Sequence, residues 1–244
     1  MMTKTKIRSA DIRQFALMTI IVVILAMLSY YVVNYPQDKI VERFISYERI
    51  LRATKEHIYI VAISSALSIL TAVPLGILIT RTNFKKFANK VLGVVNIGQT
   101  IPSLAIVALF VGVFGIGAKT AILALWIYSL LPILRNTMVG ILNLDESVLE
   151  AARGMGMTPF RILKKIELPL AMPIIVAGIR TAITINIGTA VLAAFVGGGG
   201  LGDLIISGNN INRWQIRVLG ASFPALLAIF VDTMFAFIEE KTAI

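Results

Sequence analysis

Residues 58–80 read IYIVAISSALSILTAVPLGILIT, a stretch of 23 residues without a charged side chain. A helix that crosses the hydrocarbon layer of a bilayer needs about 20 mostly apolar residues, because the layer is about 30 Å thick and the helix rises about 1.5 Å per residue. This stretch therefore has the length and the polarity of a membrane-spanning helix.

Five further segments resemble it, although three of them contain a charge: Arg135, Arg180 and Asp232. The first could instead be a cleaved signal peptide, but its apolar run is too long and no A-x-A-like site follows it. We predict an all-α, polytopic membrane protein whose six transmembrane helices lie at residues 15–35, 58–80, 91–118, 120–142, 173–195 and 218–238.

The composition supports a membrane protein. Of the 244 residues, 57% are hydrophobic and 15% are charged, with a mean hydropathy of +0.86. In soluble domains about 45–50% of the residues are apolar and about 25% are charged. The chain has no cysteine, which excludes disulfides and thiolate sites. Its single histidine, His57, cannot form a metal cluster and is predicted to lie at the outer membrane interface. No catalytic residue and no metal site are predicted.

The distribution of Lys and Arg predicts the orientation. If both termini are cytoplasmic, fourteen of the 23 Lys and Arg residues lie on the cytoplasmic side and eight on the outer side, as the positive-inside rule requires. The net charge of +10 is thus spread along one membrane face, and nucleic-acid binding is not predicted. The expected location is the cell membrane, in contact with lipid.

Residues 40–52 alternate apolar and charged positions at helical spacing, which predicts an amphipathic helix on the outer surface. We expect this helix to pack against the outer ends of the spans; a docking site for an external partner is the alternative. Residues 1–56 would then hold a cytoplasmic tail, the first span and this helix.

The longest hydrophilic segment, residues 143–169, is predicted to be cytoplasmic and to form two helices. Asn143 and Glu146 have the spacing of a capping box, so a helix should begin near Leu144. Gly154 and Gly156 should end that helix. Thr158 and Pro159 should start the second one, which leads through Leu168 and Pro169 into the fifth span. Ala151 and Ala152 are expected on the surface, where small side chains permit close packing with a partner.

Residues 150–169 read EAARGMGMTPFRILKKIELP. This resembles the EAA loop of ABC importer permeases, E-A-A-x3-G-x9-I-x-L-P, and every fixed position is filled. The resemblance implies a five-helix permease core at residues 57–240, preceded by an additional span. It also implies that Glu150, Ala151, Ala152 and Gly156 contact the ATPase, with Pro159, Leu168 and Pro169 completing the coupling loop. Alternatively, Glu150 only pairs with Arg153 or Arg161.

The resemblance implies three partners: a cytoplasmic ABC ATPase, an extracellular substrate-binding protein, and a second permease copy that forms a homodimer or a related heterodimer. The sequence has no Walker A motif, since Gly115–Thr120 reads GIGAKT with Ala118 in the place of the second glycine. ATP and magnesium are therefore expected on the partner ATPase, no cofactor is expected on this chain, and the chain is not predicted to be an enzyme.

Further stretches resemble the osmoprotectant branch of these permeases, namely QTIPSLA at 99–105, LRNT at 134–137, GIRTA at 178–182 and AFVGGGGLG at 194–202. That branch imports glycine betaine, choline and carnitine. The alternatives are an ABC permease for an amino acid or another small solute and, from other classes, an ion-coupled secondary transporter or an intramembrane enzyme. The EAA loop argues against the last two.

Polar residues within spans are candidates for the substrate pathway, because polar side chains rarely face lipid. Interhelical hydrogen bonding is the alternative. Arg180 and Asp232 are predicted to form an intramembrane ion pair, with snorkelling to headgroups as the alternative. The glycines of residues 197–202 suggest an outer gate or an ordinary loop. The candidate pathway residues are Asn96, Gln99, Thr100, Thr184, Asn186 and Thr189.

Overall fold

The computed structural model describes residues 2–81, 85–98 and 100–242, without the side chains of residues 2–12, 85 and 238–242. Within these ranges the regular structure is helical. The helices are α1 (Met2–Asn34), α2 (Lys39–Phe44), α3 (Tyr47–Ile79), α4 (Lys85–Gly98), α5 (Ser103–Phe114), α6 (Ala118–Leu142), α7 (Glu146–Gly154), α8 (Pro159–Ile162), α9 (Leu168–Thr189), α10 (Gly202–Asn210) and α11 (Trp214–Thr242). A π-helical turn, Leu163–Glu167, joins α8 to α9, and a 3-10 helix, Ala190–Val196, extends α9.

Five helical segments of the described chain are long and apolar enough to cross a membrane: Arg13–Asn34, Tyr47–Ile79, Ala118–Leu142, Pro159–Val196 and Trp214–Phe237. The third predicted span, 91–118, is not one straight helix. It is divided into α4 and α5, whose axes differ by 93°. Pro102, directly before α5, has no N–H and disfavours a helical conformation at the residue before it. The proline therefore accounts for the break.

Helix α6 lies between α3 and α9, and the main apolar core forms along these contacts. Ile60, Leu125 and Ile187, one from each helix, are almost fully buried there. Glycine allows α9 to approach α6 closely, because a Cβ added at Gly178 would lie 2.5 Å from the Cβ of Asn136. Two of the stretches that carry the family resemblance are thus in direct contact.

A second apolar cluster joins α1, α2 and the start of α3 to α10 and α11. The predicted amphipathic helix 40–52 is divided within it. Helix α2 ends at Phe44, and α3 begins at Tyr47 after Ser46, whose hydroxyl accepts a hydrogen bond from the N–H of Arg49 at 3.2 Å. Val41 and Ile50 are buried in this cluster, so the segment packs against the neighbouring helices, and its place on the outer surface stays a prediction.

Candidate functional site: the coupling loop and the helix core

The coupling loop, residues 143–169, begins with a capped helix. The carboxylate of Asp145 accepts a hydrogen bond from the N–H of Ser147 at 2.9 Å, and α7 starts at Glu146. Hydrogen bonds from Ser147 hold the pKa of Asp145 below its ordinary value. The predicted capping box of Asn143 and Glu146 is wrong, because Asp145 occupies the N-cap position.

The turn between the two loop helices agrees with the prediction. Gly156 has a φ of +74°, the left-handed conformation that glycine adopts without steric cost. Thr158 then occupies the N-cap position of α8 without a side-chain capping hydrogen bond, and Pro159 lies in the first turn of that helix, where its missing N–H costs no hydrogen bond. Further on, Leu168 and Pro169 begin α9, with Leu168 half-buried and Pro169 exposed.

The loop has a small core of its own, formed by Leu149, Ala152 and Ile162. Ala152 is 0% exposed, so its predicted place on the surface is wrong. One side of α7 must face α8, and the small Ala152 side chain permits that contact. Of the two alanines, only Ala151 is exposed.

An apolar surface remains exposed on the loop, which we call the docking stripe: Val148 and Ala151 on α7, Met155 directly after that helix, and Phe160 on α8. Met155 and Phe160 are each 73% exposed. Glu150 is exposed near this stripe, while Arg153 pairs with Glu146 at 2.7 Å. Among the described residues, no ion pair joins Glu150 to Arg153 or to Arg161, so the alternative role of Glu150 is not seen.

Asn186 lies in a buried polar cluster between three helices. Its Nδ2 donates to the hydroxyl oxygens of Ser64 at 3.0 Å, Ser65 at 3.1 Å and Ser129 at 3.2 Å. The side chain is 0% exposed, which agrees with interhelical hydrogen bonding rather than with a pathway lining. The serines are not among the residues predicted from the sequence, although Ser64 and Ser68, four residues apart in an apolar span, indicate a polar helix face.

The other candidate pathway residues have varied surroundings. Thr184 is half-buried, and its hydroxyl oxygen has no hydrogen-bond partner among the described residues. Thr189 and Thr100 donate to carbonyls of their own backbone segments, at 2.9 Å and 2.7 Å. Asn96 is exposed on α4, and Gln99 lies outside the described residues. Their pathway role stays a prediction.

Arg180 and Asp232 lie together and connect α9 to α11. Arg180 donates from Nε to Oδ1 at 2.6 Å and from Nη2 to Oδ2 at 2.7 Å. This two-bond geometry matches the planar guanidinium to the carboxylate. The side chains are 28% and 40% exposed, respectively.

Residues 197–202, which we call the glycine segment, contact α3 near Glu56. The N–H of Gly200 donates to Glu56 Oε2 at 3.1 Å. His57 is fully buried, with Nε2 3.0 Å from the carbonyl oxygen of Ile187, so it packs against α9, and its predicted position at the membrane interface stays a prediction. A cavity of about 650 Å³ lies beside this contact, and burial, together with the carboxylate of Glu56, raises the pKa of Asp203 in its wall.

Comparison with known proteins gives the class of this chain. Residues 72–243 match the family described as the binding-protein-dependent transport system inner membrane component. The chain belongs to this family. Its fold is similar to that of the MetNI methionine ABC transporter in an inward-facing conformation, with a TM-score of 0.73, 23% identity, and coverage of 82% of this chain and 100% of that one.

Relatives with higher identity are permeases for specific solutes. The chain is 48% identical over 192 residues to the Bacillus subtilis glycine betaine/carnitine/choline transport system permease protein OpuCB, covering 79% of this chain and 88% of that protein. It is 45% identical over 170 residues to the carnitine transport permease protein OpuCD of Listeria monocytogenes, covering 69% and 75%. It is 41% identical over 187 residues to the osmoprotectant import permease protein OsmY of Salmonella typhimurium, covering 77% and 79%.

Proposed function

We propose that this chain is the membrane permease subunit of an ATP-driven ABC importer that translocates quaternary ammonium osmoprotectants such as glycine betaine, choline and carnitine. The coupling loop carries the proposal, because it is folded as a separate helical unit and exposes an apolar docking stripe. The substrate class is supported by the relatives, whose names specify these compounds.

The docking stripe is the proposed contact with a cytoplasmic ABC ATPase. Met155 and Phe160 leave large apolar areas exposed, and exposed hydrophobic patches of this kind mark interaction sites. Gly156 shapes the turn between them, and the exposed Glu150 supplies a carboxylate to donors on the partner. ATP and magnesium would bind to the partner, which carries out the hydrolysis.

Two further partners complete the proposed importer. An extracellular binding protein would deliver the substrate to the outer face, near the cavity beside the glycine segment. A second permease copy, identical or related, would supply the other half of the pathway. The strongly exposed apolar side chains of α5, among them Leu109 and Val113 at 70% and 76%, support burial of this helix by lipid or by that second copy.

We infer that the chain crosses the membrane six times, with both termini in the cytoplasm. Arg81, after α3, contacts Glu167 before α9, so these helix ends lie on one face of the bundle. At the other face, the N–H of Gly117, before α6, donates to the carbonyl of Val196 at 2.7 Å. The bent pair α4 and α5 connects the first face to the second, which supports one crossing for the pair.

Uptake in cells tests the function. We would measure labelled glycine betaine, choline and a control amino acid with and without this chain, at low and raised osmolarity, with and without ATP depletion. The proposal predicts that only the ATP-dependent uptake of quaternary ammonium compounds is lost without the chain. Loss of amino-acid uptake alone would favour the alternative permease, and uptake that persists after ATP depletion would favour a secondary transporter.

A further inference from the structure

The two helices of the coupling loop pack together as a single unit. Among the described residues, its core of Leu149, Ala152 and Ile162 packs with other apolar side chains of the loop, namely Leu144, Met157 and Ile166. A small, close-packed cluster of this kind transmits displacement without deforming. A partner that pushes on α7 would therefore move α7 and α8 together.

The loop is not packed solidly against the ends of the spans. A cavity of about 300 Å³ separates α7 and α8 from the adjacent ends of α3 and α6. Its wall includes Thr80 and Leu142 on the span side and Leu149 and Pro159 on the loop side. Because this space contains few atoms to transmit a force, the connection to α3 depends on contacts at its rim.

Arg81 and Glu167 form such a contact. Arg81 Nη2 donates to Glu167 Oε2 at 2.6 Å, and the same guanidinium donates to the carbonyl of Ile77 at 3.1 Å and to the hydroxyl of Thr80 at 3.2 Å. The guanidinium is therefore held in place at the end of α3. The Glu167 side chain is only 11% exposed, and a charge-assisted hydrogen bond in such surroundings is short and directional.

The position of Glu167 determines what this ion pair connects. It is the last residue of the π-helical turn, and α9 follows it without a break. Movement of the loop thus reaches α9 along the backbone. Helix α3 has no such covalent link, although it packs against α6 and α9 in the core. Beside this packing, the ion pair adds a direct contact between the end of α3 and the residue before α9.

We propose, on the basis of the function proposed above, that Arg81 and Glu167 are positioning residues for energy coupling, which make α3 move with the loop and with α9. Without the ion pair, ATP hydrolysis would displace the loop and α9 while α3 lags behind. Hydrolysis would then continue, but fewer substrate molecules would cross the membrane for each ATP consumed.

The experiment uses the complete importer in vesicles, with the permease, its ATPase and its binding protein, and glycine betaine or choline as the substrate. Uptake and ATP hydrolysis are measured in the same vesicles. For Glu167→Gln, we expect uptake per ATP to fall severalfold while hydrolysis continues. Since Arg81 is 31% exposed and can reach water, this variant should keep the fold.

Two further variants separate coupling from mere stability. The exchange Arg81→Glu with Glu167→Arg should restore most of the uptake per ATP. As a control away from the coupling loop, Asp38→Asn breaks the ion pair between Asp38 and Arg213, whose side chains are 33% and 24% exposed. That control should lower stability and leave the ratio of uptake to hydrolysis unchanged.

Three results would overturn the inference. An unchanged ratio in Glu167→Gln would show that the ion pair does not couple, and so would an exchange variant no better than the single one. If Glu167→Gln fails to assemble, Arg81→Gln decides, because it removes the positive charge of the pair and keeps an N–H donor; a normal ratio there refutes the inference. Wild-type vesicles without ATP-dependent uptake of either compound would instead refute the proposed function, and the inference with it.

Discussion

Gly156 illustrates how one backbone angle shapes the coupling surface. Its φ of +74° turns the chain between α7 and α8, whereas Gly154, two residues earlier, is helical. A Cβ added at either position would meet no atom within 4 Å. The two glycines therefore differ in conformation and not in the space around them.

Gly156→Ala should destabilise the loop by about 1–2 kcal/mol, the cost of a left-handed conformation for a residue with a Cβ. Gly154→Ala adds the same methyl group in a helix and should be neutral or slightly stabilising. Uptake and the thermal stability of the complex with the ATPase are the measurements. Equal behaviour of the two variants would contradict the role of Gly156 in the turn.

At the level of helices, the contact between α6 and α9 depends on a missing side chain. We expect Gly178→Ala to cost about 1–3 kcal/mol, because the new methyl group must displace Asn136 in a packed interface. Gly188, on the same helix, has no atom within 4 Å of its would-be Cβ, so Gly188→Ala is the matched control. Unfolding temperatures in detergent micelles test the difference, and a Gly178→Ala protein as stable as the control would refute the close approach.

The ion pair between α9 and α11 is a second prediction about helices. Single replacements, Arg180→Ala or Asp232→Ala, should abolish most uptake, since each breaks the ion pair inside a span. The exchange Arg180→Asp with Asp232→Arg should recover part of it if pairing itself is required. Uptake is compared at equal amounts of inserted protein, and an exchange variant that recovers nothing would disprove the pairing role.

For the whole molecule, the number of crossings can be tested with cysteines, because the chain has none of its own. Lys86 and Lys119 lie on either side of the bent pair and are both exposed. We expect Lys119→Cys to react with a membrane-impermeant maleimide on intact cells, and Lys86→Cys to react only after permeabilisation. Reaction of both from the same side would exclude a single crossing by α4 and α5.

The sequence alone was sufficient for the class of protein and for the main elements. Long apolar runs predict membrane helices because the cost of burying polar groups in lipid acts on each segment separately. The coupling loop was equally predictable, since Gly156 and Pro159 act through local backbone geometry. The Asp145 cap was not predicted because Asn143, two residues earlier, is also a favoured N-cap residue and has Glu146 at the spacing of a capping box.

Tertiary structure decided what depends on residues far apart in the chain. Ala152 and His57 are buried only because α8 in one case and Ile187 in the other lie against them. Asn186 finds three serines on two other helices, and Arg81 meets a carboxylate 86 residues away. The sequence by itself determined the segments, their polarity and the coupling motif, all of which follow from local chemistry. Packing determines which faces of those segments contact each other, because the free energy of packing arises between two helices and is not a property of either helix alone.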